Sequence, residues 1–316
     1  MKKQLLVLSL IAFSACEKQN STPETGALKN SPDTTVAQAN TPQTQPPPVV
    51  QPATSAAAFI TKPELEKIFR EYKYEGSFVM LDLKNNKYTQ YNPEGVRERV
   101  SPASTFKIFN SLVALETGVI ANENTPIKWD GTKTGNPAWD QDTDMKKAFE
   151  NSTVWFYQEM ARRVDVDQMR KYITQEKYGN MDISGDIDEF WLNDALKISP
   201  LEQVDFLKRL YLNQTSFSQR SMDITKKIML KEEKSGFKLR AKTGWGIKGN
   251  LDIGWFVGWF ETGDNVYFFA TNVQTQFADA KVFTKARIDI TNKIFKELGI
   301  FGGAKGKNEI MLSPGK

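Results

Sequence analysis

A chain of 316 residues with a formal charge of only +4, half of it from Lys2 and Lys3, offers no basic surface for nucleic acid. Its composition excludes more chemistry than its charge does, because there is no histidine and a single cysteine, Cys16. A Ser-His-Asp triad, a Cys-His pair and a His-ligated zinc are closed to it, and Cys16 has no disulfide partner within the chain.

Lys2 and Lys3 precede an apolar run over residues 5–13 that is too short to span a bilayer, the pattern of an export signal. Phe13-Ser14-Ala15-Cys16 then resembles a bacterial lipobox, whose cysteine is acylated and becomes the first mature residue. Phe13 departs from that motif, which prefers leucine, and an ordinary secretory signal with an incidental cysteine is the competing reading. Residues 1–15 are thus expected to be a lipoprotein-type signal peptide with Cys16 as the lipidation site. Residues 16–58 are rich in Pro, Thr, Gln and Ala, with Pro46-Pro47-Pro48 near the centre, and bury too little to offset their ordering entropy. They read as a disordered tether whose ends lie roughly 35 Å apart as a flexible coil.

Residues 59–303 form the expected folded domain, and 304–316 a tail. Pro63-Glu64-Leu65 opens a short amphipathic helix. Residues 77–83 and 88–91 read as a hairpin around Lys84-Asn85-Asn86-Lys87. From Ser104 to Thr117 apolar residues recur at helical spacing, and further helical patterns cover 153–164, 201–212 and 219–230. Strands follow over 237–242, 253–260 and 266–272, then a closing helix over 281–298. Strands at both ends with a helical block between them indicate an α+β fold, a sheet domain carrying an all-helical lobe.

Ser-x-x-Lys occurs three times, at Ser104, Ser235 and Ser313, and Lys-[Ser/Thr]-Gly three times, at Lys133, Lys234 and Lys242. Context separates them. Ser235/Lys238 straddles a Ser-Gly turn into a strand, Ser313/Lys316 sits in a Gly/Lys-rich tail, and Lys133 and Lys234 begin turn sequences. Only Ser104/Lys107 falls on a helical pattern, where residues three apart are neighbours and the dipole favours a developing anion. Only Lys242-Thr243-Gly244 ends a strand. Two readings of the pair are open. Ser104 is a helix cap and Lys107 a solvated cation; or Phe106, Ile108 and Phe109 bury the amine until it loses its proton and serves as a base.

Ser104-x-x-Lys107, Ser152-x-Val154, Tyr178-Gly179-Asn180, Lys242-Thr243-Gly244 and Trp255-x-x-Gly258 resemble, in order and spacing, the motifs of class D (oxacillinase-type) serine β-lactamases, over about residues 60–303. The resemblance implies a β-lactamase/transpeptidase-like fold, an antiparallel sheet flanked by helices. It implies that Lys107 reacts with CO₂ to give a carbamate, the general base that deprotonates Ser104 and later activates water. No other cofactor and no metal is implied. Backbone N–H groups of Ser104 and Trp245 would form the oxyanion hole. Ser152 would relay a proton under the influence of Lys242. Val154 and Trp191 would line the carbamate pocket, and Thr243, Gly244 and Arg287 would hold the substrate carboxylate. Tyr178-Gly179-Asn180 is expected to shape a turn.

The activity so implied is hydrolysis of penicillins by an exported, periplasm-facing protein that meets a membrane only through Cys16. A non-hydrolytic penicillin sensor and a D,D-peptidase on the same fold are the alternatives. Val154 speaks against the peptidase, whose second motif more often carries Asn there. Asp140-x-Asp142-x-Asp144 hints at a calcium loop, but Met145 and Asn151 stand where Gly and Glu are needed. Those acids read as a solvated helix start. The loops around Trp139, Trp245 and Phe277 are expected to set substrate range.

Overall fold

A computed structural model describes residues 57–276 and 278–300. The expected signal peptide, Cys16, the expected tether up to residue 56, Phe277, residues 301–303 and the expected tail lie outside the described residues. In chain order the elements begin with β1 (Ala58–Thr61), α1 (Glu66–Glu71), β2 (Glu75–Asp82), β3 (Lys87–Tyr91) and α2 (Pro93–Arg97). A helical block follows: α3 (Lys107–Glu116), α4 (Met145–Glu150), α5 (Val154–Val164), α6 (Val166–Gln175), α7 (Pro200–Tyr211) and α8 (Gln219–Ile228). Within it lie the two-residue strands β4 (Pro126–Ile127) and β5 (Thr143–Asp144), and a loop over 176–199 in which Ile198 bridges to Val100. The chain then returns to sheet in β6 (Leu230–Lys234), β7 (Phe237–Lys248), β8 (Leu251–Thr262) and β9 (Asn265–Thr275), and α9 (Ala280–Glu297) closes it.

The main sheet runs β1-β3-β2-β9-β8-β7-β6, antiparallel except for β1 on β3. Period-two alternation divides its side chains between two cores. Ile253, Trp255, Val257 and Trp259 of β8 face the helical block, while Phe256 and Phe260 face α1 and α9. Val79 and Leu81 of β2 go with the first set, Phe78 and Met80 with the second. Among the described residues no helix is long and apolar enough to cross a membrane.

Two expectations are corrected. The helix expected from Ser104 becomes α-helical only at Lys107, and Ala103–Phe106 form a 3₁₀ turn before it. Ala103 carries a left-handed φ of +48°, which no right-handed helix admits. The strand expected to stop at Lys242 runs on to Lys248, so Lys242-Thr243-Gly244 sits in mid-strand. Gly244 and Gly246 look like strand breakers. Here they permit close approach instead, since a Cβ at Gly244 would stand 3.0 Å from the Pro102 carbonyl oxygen.

Candidate active site

The turn that carries Ser104 is fixed from three sides. The Trp191 carbonyl accepts from Ser101 Oγ (2.9 Å) and from the Ala103 N–H (3.2 Å). The Trp255 indole donates to the Ser101 carbonyl at 2.8 Å, and Gln203 Nε2 donates to Thr105 Oγ1 at 2.8 Å. Behind it Phe106 is fully buried against Phe109, Tyr178, Phe190 and Trp191 at centroid distances of 5.2–5.8 Å. This framework holds Ala103 in its left-handed conformation, a strain of about 1–3 kcal/mol, and leaves Ser104 half-buried at the cleft.

Lys107 is 1 % exposed, and its Nζ stands 3.0 Å from Ser104 Oγ. Burial alone pushes the amine down to about 7, so near neutral pH a large share of it is uncharged. The sequence suggested Phe106, Ile108 and Phe109 as its surroundings; all three are buried in the core of the helical block, with Phe106 and Phe109 in an aromatic cluster. The ring that faces the amine is Tyr157 of α5, with its centroid 5.1 Å from Nζ. Trp191 is completely buried and its indole N–H has no acceptor. A buried donor left unpaired is costly and marks a place where an acceptor belongs.

Ser152 lies in the turn between α4 and α5 with φ +54°, again left-handed for a residue with a side chain. Lys242, 2 % exposed, donates to Ser152 Oγ and, at 3.0 Å, to the Thr243 carbonyl. Its amine is held well below the usual lysine range, first by burial and then by repulsion from Lys107, Lys231 and Arg287. Val154 opens α5 one residue beyond Thr153 and is half-buried.

Arg287 on α9 is 7 % exposed and donates from Nη1 to the Gly244 carbonyl at 3.1 Å, while its Nε has no partner. Burial lowers it to about 10. It is thus no surface ion pair. No carboxylate is among the groups that shift Lys107, Lys242 or Arg287, and of the three the Arg287 guanidinium stays charged at neutral pH. β6 pairs with β7 only up to Arg240, and from Lys242 onward the free edge of β7 lies against the Ser104 turn. Thr243 and Trp245 on that stretch are half-buried, and the Trp245 indole donates to Asp252 at 2.7 Å.

The remaining sequence candidates fall elsewhere. Tyr178-Gly179-Asn180 makes a turn locked to the loop after Trp191. Asn180 Nδ2 donates to the Ala195 carbonyl and its Oδ1 accepts from the Lys197 N–H, while a Cβ at Gly179 would meet the Lys197 oxygen at 2.0 Å. Each of the three aspartates accepts a backbone N–H: Asp140 from Thr134, Asp142 from Trp129, and Asp144 from Lys147 as the N-cap of α4. Lys238 pairs with Glu233, and Lys133 lies over the Trp129 ring. Sequence reasoning missed Tyr157, Ser101 and Gln203. None of them carries a local signal, because each acts across long sequence separations.

A neutral amine at hydrogen-bond distance from a serine, with a second serine–lysine pair opposite and a free strand edge between them, can perform acyl transfer without histidine. The penicillin binding protein transpeptidase domain matches residues 76–298. Beta-lactamase OXA-48 of Klebsiella pneumoniae is 39% identical over 229 residues, 72% of this chain and 85% of that one. Regulatory protein BlaR1 of Bacillus licheniformis is 38% identical over 234 residues, 74% of this chain but only 38% of the regulator's length. Among solved structures, the class D beta-lactamase YbXI from Nostoc is 45% identical with a TM-score of 0.71, covering 74% of this chain and 98% of its own. The C-terminal domain of the Bacillus licheniformis BlaR penicillin receptor is 35% identical with a TM-score of 0.73, covering 78% and 99%. The chain belongs to the superfamily of class D serine β-lactamases and penicillin-binding proteins.

Proposed function

We propose that this chain hydrolyses β-lactams of the penicillin class through an acyl-enzyme on Ser104, with the Lys107 side chain as general base. The observation that carries this reading is a buried, partly neutral amine 3.0 Å from the serine hydroxyl. The free lone pair on Nζ takes up CO₂: an N–C bond forms, one C–O π pair moves to oxygen, and the amine gives up a proton to solvent. The unpaired indole N–H of Trp191, whose ring stacks on Phe106 next to Lys107 in the chain, supports the fit as a buried donor still open to a new oxygen. The carbamate, when formed, supplies an anionic base for Ser104 and afterwards for water.

Ser104 Oγ attacks the lactam carbonyl and passes its proton to the Lys107 side chain. Backbone N–H groups of Ser104 and Trp245 receive the oxyanion, each worth about 3 kcal/mol. As the C–N bond breaks, Ser152 relays to the lactam nitrogen the proton that the Lys107 side chain took from Ser104, while Lys242 donates a hydrogen bond to Ser152 Oγ and steadies it during the relay. Thr243 and the Arg287 guanidinium hold the substrate carboxylate, the guanidinium supplying the positive charge it meets. Export and acylation at Cys16, suggested by residues 1–16, would hold the domain off a membrane surface.

A second reading, a receptor acylated at Ser104 but slow to release, is supported by the likeness to the BlaR regulator and its receptor domain. Turnover decides between them. Purified protein is mixed with excess penicillin with and without bicarbonate. Many openings per active site, accelerated by bicarbonate, are expected; a single opening per site would leave the receptor or peptidase reading standing.

A further inference from the structure

The face of Tyr157 forms the floor of the Lys107 pocket, 5.1 Å from Nζ. The ring is completely buried and cannot swing aside. Its Oη shares a hydrogen bond of 3.0 Å with Ser111 Oγ, its own carbonyl accepts from Asn110 Nδ2 at 3.1 Å, and Phe156 packs on it at 5.7 Å. Asn110 and Ser111 lie one turn after Lys107 on α3, so the helix that carries the amine also holds the ring beneath it.

The other polar groups facing Nζ are few. The turn contributes the Ser104 hydroxyl, and β7 contributes Lys242 with Ser152 bonded to it. Arg287 of α9 and Lys231 of β6 act on Lys242, both weakening its hold on a proton. No carboxylate contributes to the shift of the Lys107 amine. Besides the Ser104 hydroxyl oxygen at 3.0 Å, the π face of Tyr157 presents negative potential to the amine.

We infer that Tyr157 is a positioning residue that sets how readily Lys107 takes up CO₂, because its ring face stabilises the ammonium and repels the carbamate. The inference rests on the reading of Lys107 as the carboxylated base. Uptake needs the neutral amine, which the ring disfavours, and yields an anion, which the ring also disfavours, so both effects have one sign. A desolvated cation over an aromatic face shifts the amine upward by about one pH unit. The pocket is thereby held near the balance point instead of being permanently carboxylated, and the bicarbonate level decides how much of the protein is loaded.

The test grades the ring's electrostatics without changing its shape. Full-length protein carries Tyr157→Phe or a series of ring-fluorinated phenylalanines at position 157, and ¹³C-bicarbonate is titrated at pH 6 while the carbamate carbon is followed by NMR. Tyr157→Phe is expected to stay within about twofold of the parent. The half-saturating bicarbonate should then fall steadily with each added fluorine, by about fivefold across the series. A flat series, or one that rises, overturns the inference, since a merely structural ring has no reason to follow fluorination. If the parent binds no ¹³C at any bicarbonate level, the carboxylated-base reading fails on its own account. The Lys107 amine pKa from ¹⁵N NMR then judges the ring alone: a fall of about one pH unit across the series supports its pull on the amine, and a constant value refutes it.

Discussion

Replacing Lys107 by methionine tests whether the amine is as dry as the geometry requires. The side chain is 1 % exposed and its pKa falls from 10.5 to about 7 on folding. A lysine with a lowered folded pKa costs stability wherever the unfolded chain binds its proton and the folded chain does not, or holds it under strain. The penalty is complete below pH 7, shrinks as pH rises from 7, and vanishes by about 10.5. At pH 7 it amounts to about 4 kcal/mol. Methionine has nearly the same length and no charge, so Lys107→Met should stabilise the protein by that amount at pH 7 while abolishing turnover. For a domain of this size the urea midpoint moves up by about 1 M. The assay is tryptophan-detected urea unfolding at pH 7, 8.5 and 10 in CO₂-free buffer, with the gain expected to decline at each step. A variant that is less stable than the parent at pH 7, or whose advantage is the same at pH 10, would refute the buried, depressed amine.

Trp191→Phe keeps the ring in the aromatic cluster but removes the unpaired N–H; carbamate formation should weaken about tenfold by ¹³C titration, with the melting temperature nearly unchanged. Arg287→Ala should lower kcat/KM for a penicillin about 10- to 100-fold, mostly through KM, because a charge-assisted bond to the substrate carboxylate is worth about 1.5–3 kcal/mol; an unchanged KM would remove Arg287 from the binding site. Gly244→Ala places a Cβ 3.0 Å from the Pro102 oxygen and 3.1 Å from Thr105 Cγ2, so β7 must back away from the Ser104 turn. Acylation, read by mass spectrometry, should slow at least about tenfold while the urea midpoint moves far less.

The hydrophobic period disclosed the α+β plan and the long elements, because α5, α7, α8 and α9 each bury one patterned face, while the apolar runs of α3, β2, β8 and β9 are buried on more than one side. What escaped was short or charged. β6, Leu230-Lys231-Glu232-Glu233-Lys234, has no apolar alternation because it is an edge strand satisfied by ladder bonds to β7. α6 begins after Asp165, whose left-handed backbone breaks the pattern between two helices and whose side chain caps the second. In the site, Ser104 and Lys107 were legible as a spacing, and Lys242-Thr243-Gly244 as a motif. The boundaries at Ala103 and Lys242 were not, because a left-handed alanine and two glycines within a strand answer to contacts between segments far apart in the chain. Tyr157 was invisible for the same reason: its helix reads as an ordinary amphipathic one until α3 is laid against it.

Phe106 ties the serine turn to the interior of the helical lobe. With Phe109, Tyr178, Phe190 and Trp191 around it, the segment bearing Ser104 has no hinge by which to loosen separately. Its amides, and those of α3, are therefore expected to exchange with deuterium only when the whole lobe opens, at the slow limit set by global stability. Heat would then extinguish the cleft in a single event, with no softened but still folded form preceding the collapse.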